Sequence, residues 1–468
     1  MNIQLRYQFP GNNQWPFLLL AVILVFFFSS FAKGQTFPTD FGQTQVVNGL
    51  SGPTALVFAP ASDGRIFVTE QGGKLRVIKN GILLSTEAIS LTVDSDGERG
   101  LIGVTLDPDF LTNHYIYLYH TIPGSPAHNR ISRYTLDGDV VLSGSESIVL
   151  DLDDLSSATN HNGGSMAFGP DGKLYVGVGE NAHGANAQDL DVYLGKLLRI
   201  NADGSVPAGN PFTGSSARSR IWAYGLRNPY TFDFQPGTGV LFVNDVGEST
   251  WEEINDATDG GLNFGWSNAE GNSTNPAYTN PVYEYGHGSG DGLGCAITGG
   301  TFFNPSSSNY PGEYTGKYFF MDLCEKWINY IDPTEGSPTR HSFATGLPGS
   351  SLAITTGPDG NLYYLSRDAG ALYKISYNGV TAVQTSQSVG SPVVYPLPAS
   401  ETLYISMIPA LDNYTINFTD SKGNTQAASY SAEGSVLKIN ISSLPSGVYA
   451  MKIGNASRTV IQQVSILR

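Results

Sequence analysis

The chain has 468 residues, with 41 Asp and Glu against 25 Lys and Arg, a formal net charge of −16, 55 Gly, 25 Tyr and 23 Phe. That acidity excludes nucleic acid as a partner, because phosphate binding needs a basic face. Only 14% of residues are charged, and with this glycine and aromatic content the chain reads as a turn-rich all-β protein of more than one domain.

The first 34 residues carry one early positive charge, Arg6. An apolar run from Phe17 to Phe28 follows, then small residues at Ala32 and Gly34. This is the pattern of a signal peptide over 1–34, cleaved near Gly34 and Gln35. The run is short for a membrane anchor, the alternative reading.

Six turn-then-strand units come next. Pro60 to Gly64 precedes Arg65-Ile66-Phe67-Val68, and Pro108-Asp109-Phe110 precedes Tyr115-Ile116-Tyr117-Leu118-Tyr119. Pro170-Asp171-Gly172 leads into Leu174-Tyr175-Val176, and Pro236 to Gly239 into Val240-Leu241-Phe242-Val243. Pro311-Gly312 comes shortly before Lys317-Tyr318-Phe319-Phe320, and Pro358-Asp359-Gly360 before Leu362-Tyr363-Tyr364-Leu365. Proline presets one turn torsion and glycine supplies the positive one, so each unit reverses the chain into a strand. Radial repetition of small sheets produces this rhythm, and six copies predict a six-bladed β-propeller over 40–378. Sandwiches would also give many short strands. Residues 379–391 turn to Thr, Gln, Ser and Gly and read as a linker. Over 392–468 alternation resumes, with Leu403, Ile405 and Met407 on one face and Tyr414, Ile416 and Phe418 on another, which predicts a small β-sandwich.

Several loops between these strands carry chemistry-bearing residues. His161 stands beside Asn160 and ahead of Gly163 and Gly164, where backbone can approach a ligand and an imidazole can accept a proton. Alone it also reads as a turn histidine on a surface loop. Asp94 to Leu101 is an acidic loop, solvated or cation-binding. Gly225-Leu226-Arg227-Asn228-Pro229 sets a guanidinium beside an amide, suited to carbonyl or carboxylate recognition or to structural bonding of loop carbonyls. Asn244 to Glu248 offers oxygens to a hard cation such as Ca2+, or is a plain acidic turn. Cys295 and Cys324, an even pair in an exported chain, read as a disulfide or as two buried thiols. A base and an electrophile on neighbouring loops suit alcohol oxidation, which needs a hydride-accepting cofactor. There is no Gly-rich dinucleotide fingerprint, so NAD is not expected.

Together, Gly97-Glu98-Arg99-Gly100-Leu101, Asp107-Pro108-Asp109-Phe110, His161-Asn162-Gly163-Gly164, Leu194-Gly195-Lys196-Leu197-Leu198-Arg199-Ile200, Gly225-Leu226-Arg227-Asn228-Pro229, Glu252-Glu253-Ile254-Asn255 and Asn263-Phe264-Gly265-Trp266 resemble the soluble PQQ-dependent glucose/sorbosone dehydrogenases over residues 45–377. Cys295 to Gly300, with Cys324, is similar to their hedgehog-interacting-protein-like branch. The resemblance implies oxidation of the anomeric carbon of an aldose to a lactone, with PQQ as hydride acceptor and an external electron acceptor downstream. His161 would be the base and Arg227 the residue polarising the quinone. Asn228, Asn160 and Glu98 would contact cofactor or sugar, and the Gly247 and Glu248 carbonyls would bind Ca2+. The family's late Lys falls near Leu323 to Glu325, with Lys326 close by, and its Arg pair falls on Ser350 to Ala353, which carry no such cations. This departure supports the alternative of a non-catalytic cell-surface propeller that binds a glycan or protein. Val394-Tyr395-Pro396-Leu397-Pro398 and Ile441 to Tyr449 resemble a type IX secretion sorting domain. That implies passage through the periplasm and across the outer membrane by that machinery, and a secreted or cell-surface location.

Overall fold

The computed structural model describes residues 35–379, 393–395, 399–406, 415–420, 423–433, 436–454 and 459–467. The expected signal peptide, almost all of the linker, Met407 and Tyr414 lie outside them.

Between Phe41 and Tyr377 the chain forms six antiparallel sheets of four or five strands, almost entirely from strands consecutive in sequence. Each turn-then-strand unit is the second strand of its sheet: Arg65–Glu70, Tyr115–Ile122, Leu174–Val178, Leu241–Asp245, Lys317–Asp322 and Leu362–Ser366. The exception to chain order is the last sheet. There Phe41–Val47, from the start of the chain, pairs with Ala371–Tyr377 and joins the two ends of the region in one sheet.

The turns repeat one device. Asp171 accepts from the backbone N–H of Lys173 at 3.0 Å and from the Tyr175 hydroxyl at 3.3 Å. Asp359 accepts from the Tyr363 hydroxyl at 2.9 Å, and Asp107 from Tyr117 at 3.0 Å. In each case an aspartate in the turn accepts from a tyrosine of the strand that follows, so turn chemistry and strand register specify each other. Gly172, at φ 70°, sits where a β-carbon would strain the turn.

First strands of the sheets pack side by side in a closed ring. Pro53–Phe58 meets Leu101–Leu106, which meets Met166–Phe168; Pro229–Phe234 meets Ile297–Phe303, which meets Ser351–Thr356, which returns to Pro53–Phe58. Pro229–Phe234 joins the ring through Leu174–Val178. Aromatic and aliphatic layers fill the spaces between sheets. One gathers Phe303, Tyr310, Phe319 and Phe343; another gathers Tyr117, Tyr119, Leu198 and Ile200. Such burial removes apolar area from water at about 25 cal/mol per Å2.

The axis of the ring is a channel. On one side it is lined by Thr105, Ala167, Asp233 and Thr355 among others, in a cavity of about 230 Å3. Asp233 faces this small internal space yet lies deep in the ring. It accepts from Phe302 N at 2.8 Å and Thr301 Oγ1 at 2.9 Å, and burial pushes its carboxyl up to about 6. A carboxyl with a raised folded pKa holds its proton more tightly when folded. Stability from this group is therefore full below about pH 4 and falls as pH rises through about 6. Asp233→Asn removes the titration. The variant is expected to melt about 2 °C or more above the parent at pH 7, with the gain shrinking toward pH 4. Equal gains or losses at both pH values would remove Asp233 from the account.

The tail holds two further four-stranded sheets. Leu403, Ile405 and Ile439 from one and Ile416, Phe418 and Met451 from the other are buried in a single core.

Candidate functional site

The segment before Met166–Phe168 coils tightly. His161 takes φ 58° and Gly163 φ 65°. A β-carbon on Gly163 would stand 2.4 Å from Gly177 O, and one on Gly179 would stand 2.2 Å from His161 O. Only glycine at both places lets the histidine loop lie against the strand Leu174–Val178.

That contact delivers Glu180 to the imidazole. His161 Nδ1 donates to Glu180 Oε1 at 2.6 Å, and Asn160 Nδ2 donates to His161 Nε2 at 3.0 Å. The Glu180 side chain is 2% exposed, so its charge is set on the ring with little water between. This arrangement leaves Nε2 as the proton-accepting nitrogen. Glu98 Oε2 accepts from the backbone N–H of His161 at 2.7 Å. Arg99 holds the two loops together, donating to Asp94 at 2.6 Å and to the carbonyls of Ser156 and Ala158 at 2.8 and 2.9 Å. Asp94 is therefore an ion-pair partner here.

The next sheet supplies Arg227 and Asn228. Their backbone N–H groups donate to Asp245, at 2.9 and 2.7 Å, and Asn228 Oδ1 accepts from Gly163 N at 3.0 Å. Glu180 N donates to Arg227 O at 2.9 Å, so the histidine loop and the Arg-Asn loop are bonded directly. Burial and the neighbouring Glu253 carboxyl push Asp245 well above the carboxylate range, and burial pushes Glu253 up to about 7.

These loops border a cavity of about 190 Å3 at the other side of the axis. Of the residues expected in the site, Glu98 and Asn228 line it. The wall near His161 and Arg227 is made by their neighbours Asn162, Gly163 and Val246. His161 stands behind that wall, buried, with its ring at Glu180. The Arg227 guanidinium turns back on the turn that follows. Nη1 donates to Val246 O at 3.0 Å and Gly247 O at 2.6 Å, and the group lies 5.5 Å from the Trp266 ring centroid. Its buried Nε has no partner among the described residues.

The expected Ca2+ site does not take shape at Gly247 and Glu248. The Gly247 carbonyl is occupied by a guanidinium. The backbone N–H groups of Glu248, Ser249 and Thr250 converge on Glu270 Oε1 at 2.7, 3.0 and 3.1 Å. This turn is a nest of donors closed on a carboxylate, the polarity opposite to that of a cation loop.

Sequence reasoning passed over Glu180, Glu270, Gln71 and Arg367. Glu180 ends a strand that the turn pattern located, and nothing in spacing shows that its side chain folds back. Gln71 and Arg367 come from loops 296 positions apart that meet only in the ring. The cysteines do form a disulfide, with Cα atoms 5.8 Å apart, and the residues beside them, Ala296 and Leu323, line the cavity.

Comparison with known proteins agrees with this architecture. The family model described as glucose/sorbosone dehydrogenase matches residues 50–374, and that of a secretion system C-terminal sorting domain matches 393–467. The chain is 31% identical over 346 residues to the aldose sugar dehydrogenase YliI of Escherichia coli, covering 70% of this chain and 90% of that protein. It is 29% identical over 447 residues to quinoprotein glucose dehydrogenase B of Acinetobacter calcoaceticus, covering 85% and 89%. The PQQ-bound form of an aldose sugar dehydrogenase from Streptomyces coelicolor superposes with a TM-score of 0.59 at 25% identity, over 73% of this chain and 99% of that one. The C-terminal sorting domain marks the chain for export to the cell surface or beyond. With over half its length matched and a relative above 30% identity over most of it, this protein belongs to the glucose/sorbosone dehydrogenase family of β-propeller oxidoreductases.

Proposed function

We propose that this chain is an exported quinoprotein oxidoreductase that oxidises the anomeric carbon of an aldose to a lactone with PQQ as acceptor. The six sheets of 40–378 act as blades around the axial site, 379–391 is a linker, and 392–468 is a sandwich read by the type IX secretion machinery after removal of a signal peptide over 1–34. The observation that carries this reading is the Glu180–His161 pair beside the axial cavity, with Glu98 bonded to the same loop.

In this reading the sugar's anomeric hydroxyl replaces the Asn160 amide at Nε2 and gives its proton to His161. Glu180, fixed on Nδ1, stabilises the imidazolium that results. Asn160 and Glu98 orient the remaining hydroxyls. PQQ, when bound, supplies the two-electron acceptor that no side chain provides. Arg367, which forms no ion pair among the described residues, and Asn228 line the cavity and would hold one carboxylate of such an anion. Arg227 would join them only by leaving the Val246 and Gly247 carbonyls. Ca2+ at Gly247 does not fit, because Arg227 already places a positive charge on that carbonyl.

A second reading, a propeller that binds a glycan or protein without turnover, is favoured by Leu323 and Leu352, apolar wall residues where the family resemblance places cations. Purified protein given PQQ, with Ca2+ or with a chelator, and a panel of aldoses is expected to reduce an electron-accepting dye in both conditions. Absence of dye reduction, and of a bound-quinone spectrum, would select the binding reading.

A further inference from the structure

Among the described residues, Arg367 is the one basic residue on the wall of the axial cavity. It opens the turn between Leu362–Ser366 and Ala371–Tyr377. Its guanidinium lies against Gly52, whose missing β-carbon would stand 3.7 Å from both Nη atoms. Nη1 reaches Gly52 O at 3.4 Å, and Nη2 contacts Gln71 Oε1. Both partners are neutral. Elsewhere in the described chain seven arginines pair with a carboxylate. Arg133, Arg220 and Arg227 make no such ion pair among the described residues either, but none of the three lies on the wall of this cavity, and Arg367 does. Half-buried and held by neutral partners, it keeps donors for an anion that shares the space. The adjacent Asp368 carboxylate is exposed, accepts from Ser350 N at 3.0 Å and forms no ion pair with Arg367, whose charge acts on it through space.

The cavity is polar at two places of opposite sign. Arg367 is one and Glu98, bonded to the His161 backbone, is the other. Gln71 spans them: its Oε1 meets Arg367, and its Nε2 donates to the carbonyls of Gly97 and Arg99 at 2.7 and 2.8 Å. A ligand bearing a carboxylate at one end and hydroxyl or carbonyl groups at the other matches this polarity.

We propose that Arg367 is the carboxylate anchor of the axial cavity. It holds a carboxylate of the bound ligand by charge-assisted hydrogen bonds, with the ligand's neutral end toward Glu98 and His161. The inference rests on the reading of this cavity as the ligand site. The carboxylate belongs either to the quinone cofactor or to an acidic sugar such as a hexuronate, and the experiment separates these sources.

Affinities of the full chain and of Arg367→Gln are measured by calorimetry for PQQ and, separately, for D-glucuronate, with D-glucose as the neutral comparison. A charged hydrogen bond of this kind is worth about 10- to 100-fold. Arg367→Gln is expected to weaken one of the two anions by that factor. Loss confined to PQQ assigns the carboxylate to the cofactor, and loss confined to D-glucuronate assigns it to the sugar. Anion affinities equal to those of the parent overturn the anchor, as does a parent that binds neither anion. Where Arg367→Gln does not fold, Glu98→Gln decides. It keeps an acceptor for His161 N and removes the opposing charge, so tighter anion binding supports the anchor and unchanged binding overturns it. Dye reduction with aldose in the parent, alongside an unaffected Arg367→Gln, sinks the anchor and leaves the enzyme. Anion binding that depends on Arg367 without any sugar oxidation sinks the enzyme and leaves the anchor.

Discussion

Replacement of His161 by asparagine is expected to lower aldose turnover by about 10^2- to 10^4-fold, the range for loss of a positioned base. Asparagine is the informative variant because residue 161 sits at φ 58°, a left-handed conformation that asparagine tolerates better than alanine. Glu180→Gln probes the second half of the pair. Glu180 accepts from both His161 Nδ1 and His183 N, and Gln has one oxygen for these two donors, so the tautomer of the ring is no longer fixed and the charge that stabilises the imidazolium is gone. Its expected loss is therefore of the same order, about 10^2- to 10^4-fold in kcat, with KM nearly unchanged. The measurement is steady-state dye reduction with PQQ present, beside melting curves showing that both variants are folded. Full turnover in His161→Asn would remove the proposed base even if the chain proves to be an enzyme.

The largest stability effect is expected at Asp322, a residue outside the chemistry. Its side chain is fully buried and its two oxygens accept five hydrogen bonds. Oδ2 takes Cys295 N, Ala296 N and Tyr285 OH at 2.9, 3.0 and 2.9 Å, and Oδ1 takes Cys324 N and Glu325 N at 2.8 and 3.0 Å. The carboxylate thus ties together the chain on both sides of the disulfide, next to the cavity wall at Ala296 and Leu323. Asp322→Ala leaves these donors buried and unpaired, and should cost about 3–5 kcal/mol. A fall in melting temperature of about 5–10 °C is expected, against little change for a surface aspartate. A variant that melts with the parent would show that water satisfies these donors and that the carboxylate is dispensable.

Much of the fold was legible because its signals are local. A Pro-Asp-Gly turn followed by alternating aromatics specifies a strand whatever lies elsewhere, and each of the six such units became the second strand of a sheet. His161, Glu98 and Asn228 were legible for a related reason: glycines and a proline fix the backbone beside them, so the loop advertises a close approach. The surroundings of the Gly247 and Glu248 carbonyls, expected to bind Ca2+, were not legible: Glu270, a separate residue with no pattern to flag it, fills the nest of amides, and Arg227 covers the Gly247 carbonyl.

From the amino-acid order alone came the all-β class, the repeat, the family, the sorting tail and the loop that carries the imidazole, since all of these rest on short-range turn chemistry and alternation. Only the closed ring decided which groups meet across it. Glu180 on His161, Glu270 under the 248–250 turn, and Arg367 with Gln71 at the cavity wall are contacts between different loops. Their partners are selected by where separate sheets lean together, a long-range packing result that no local spacing encodes.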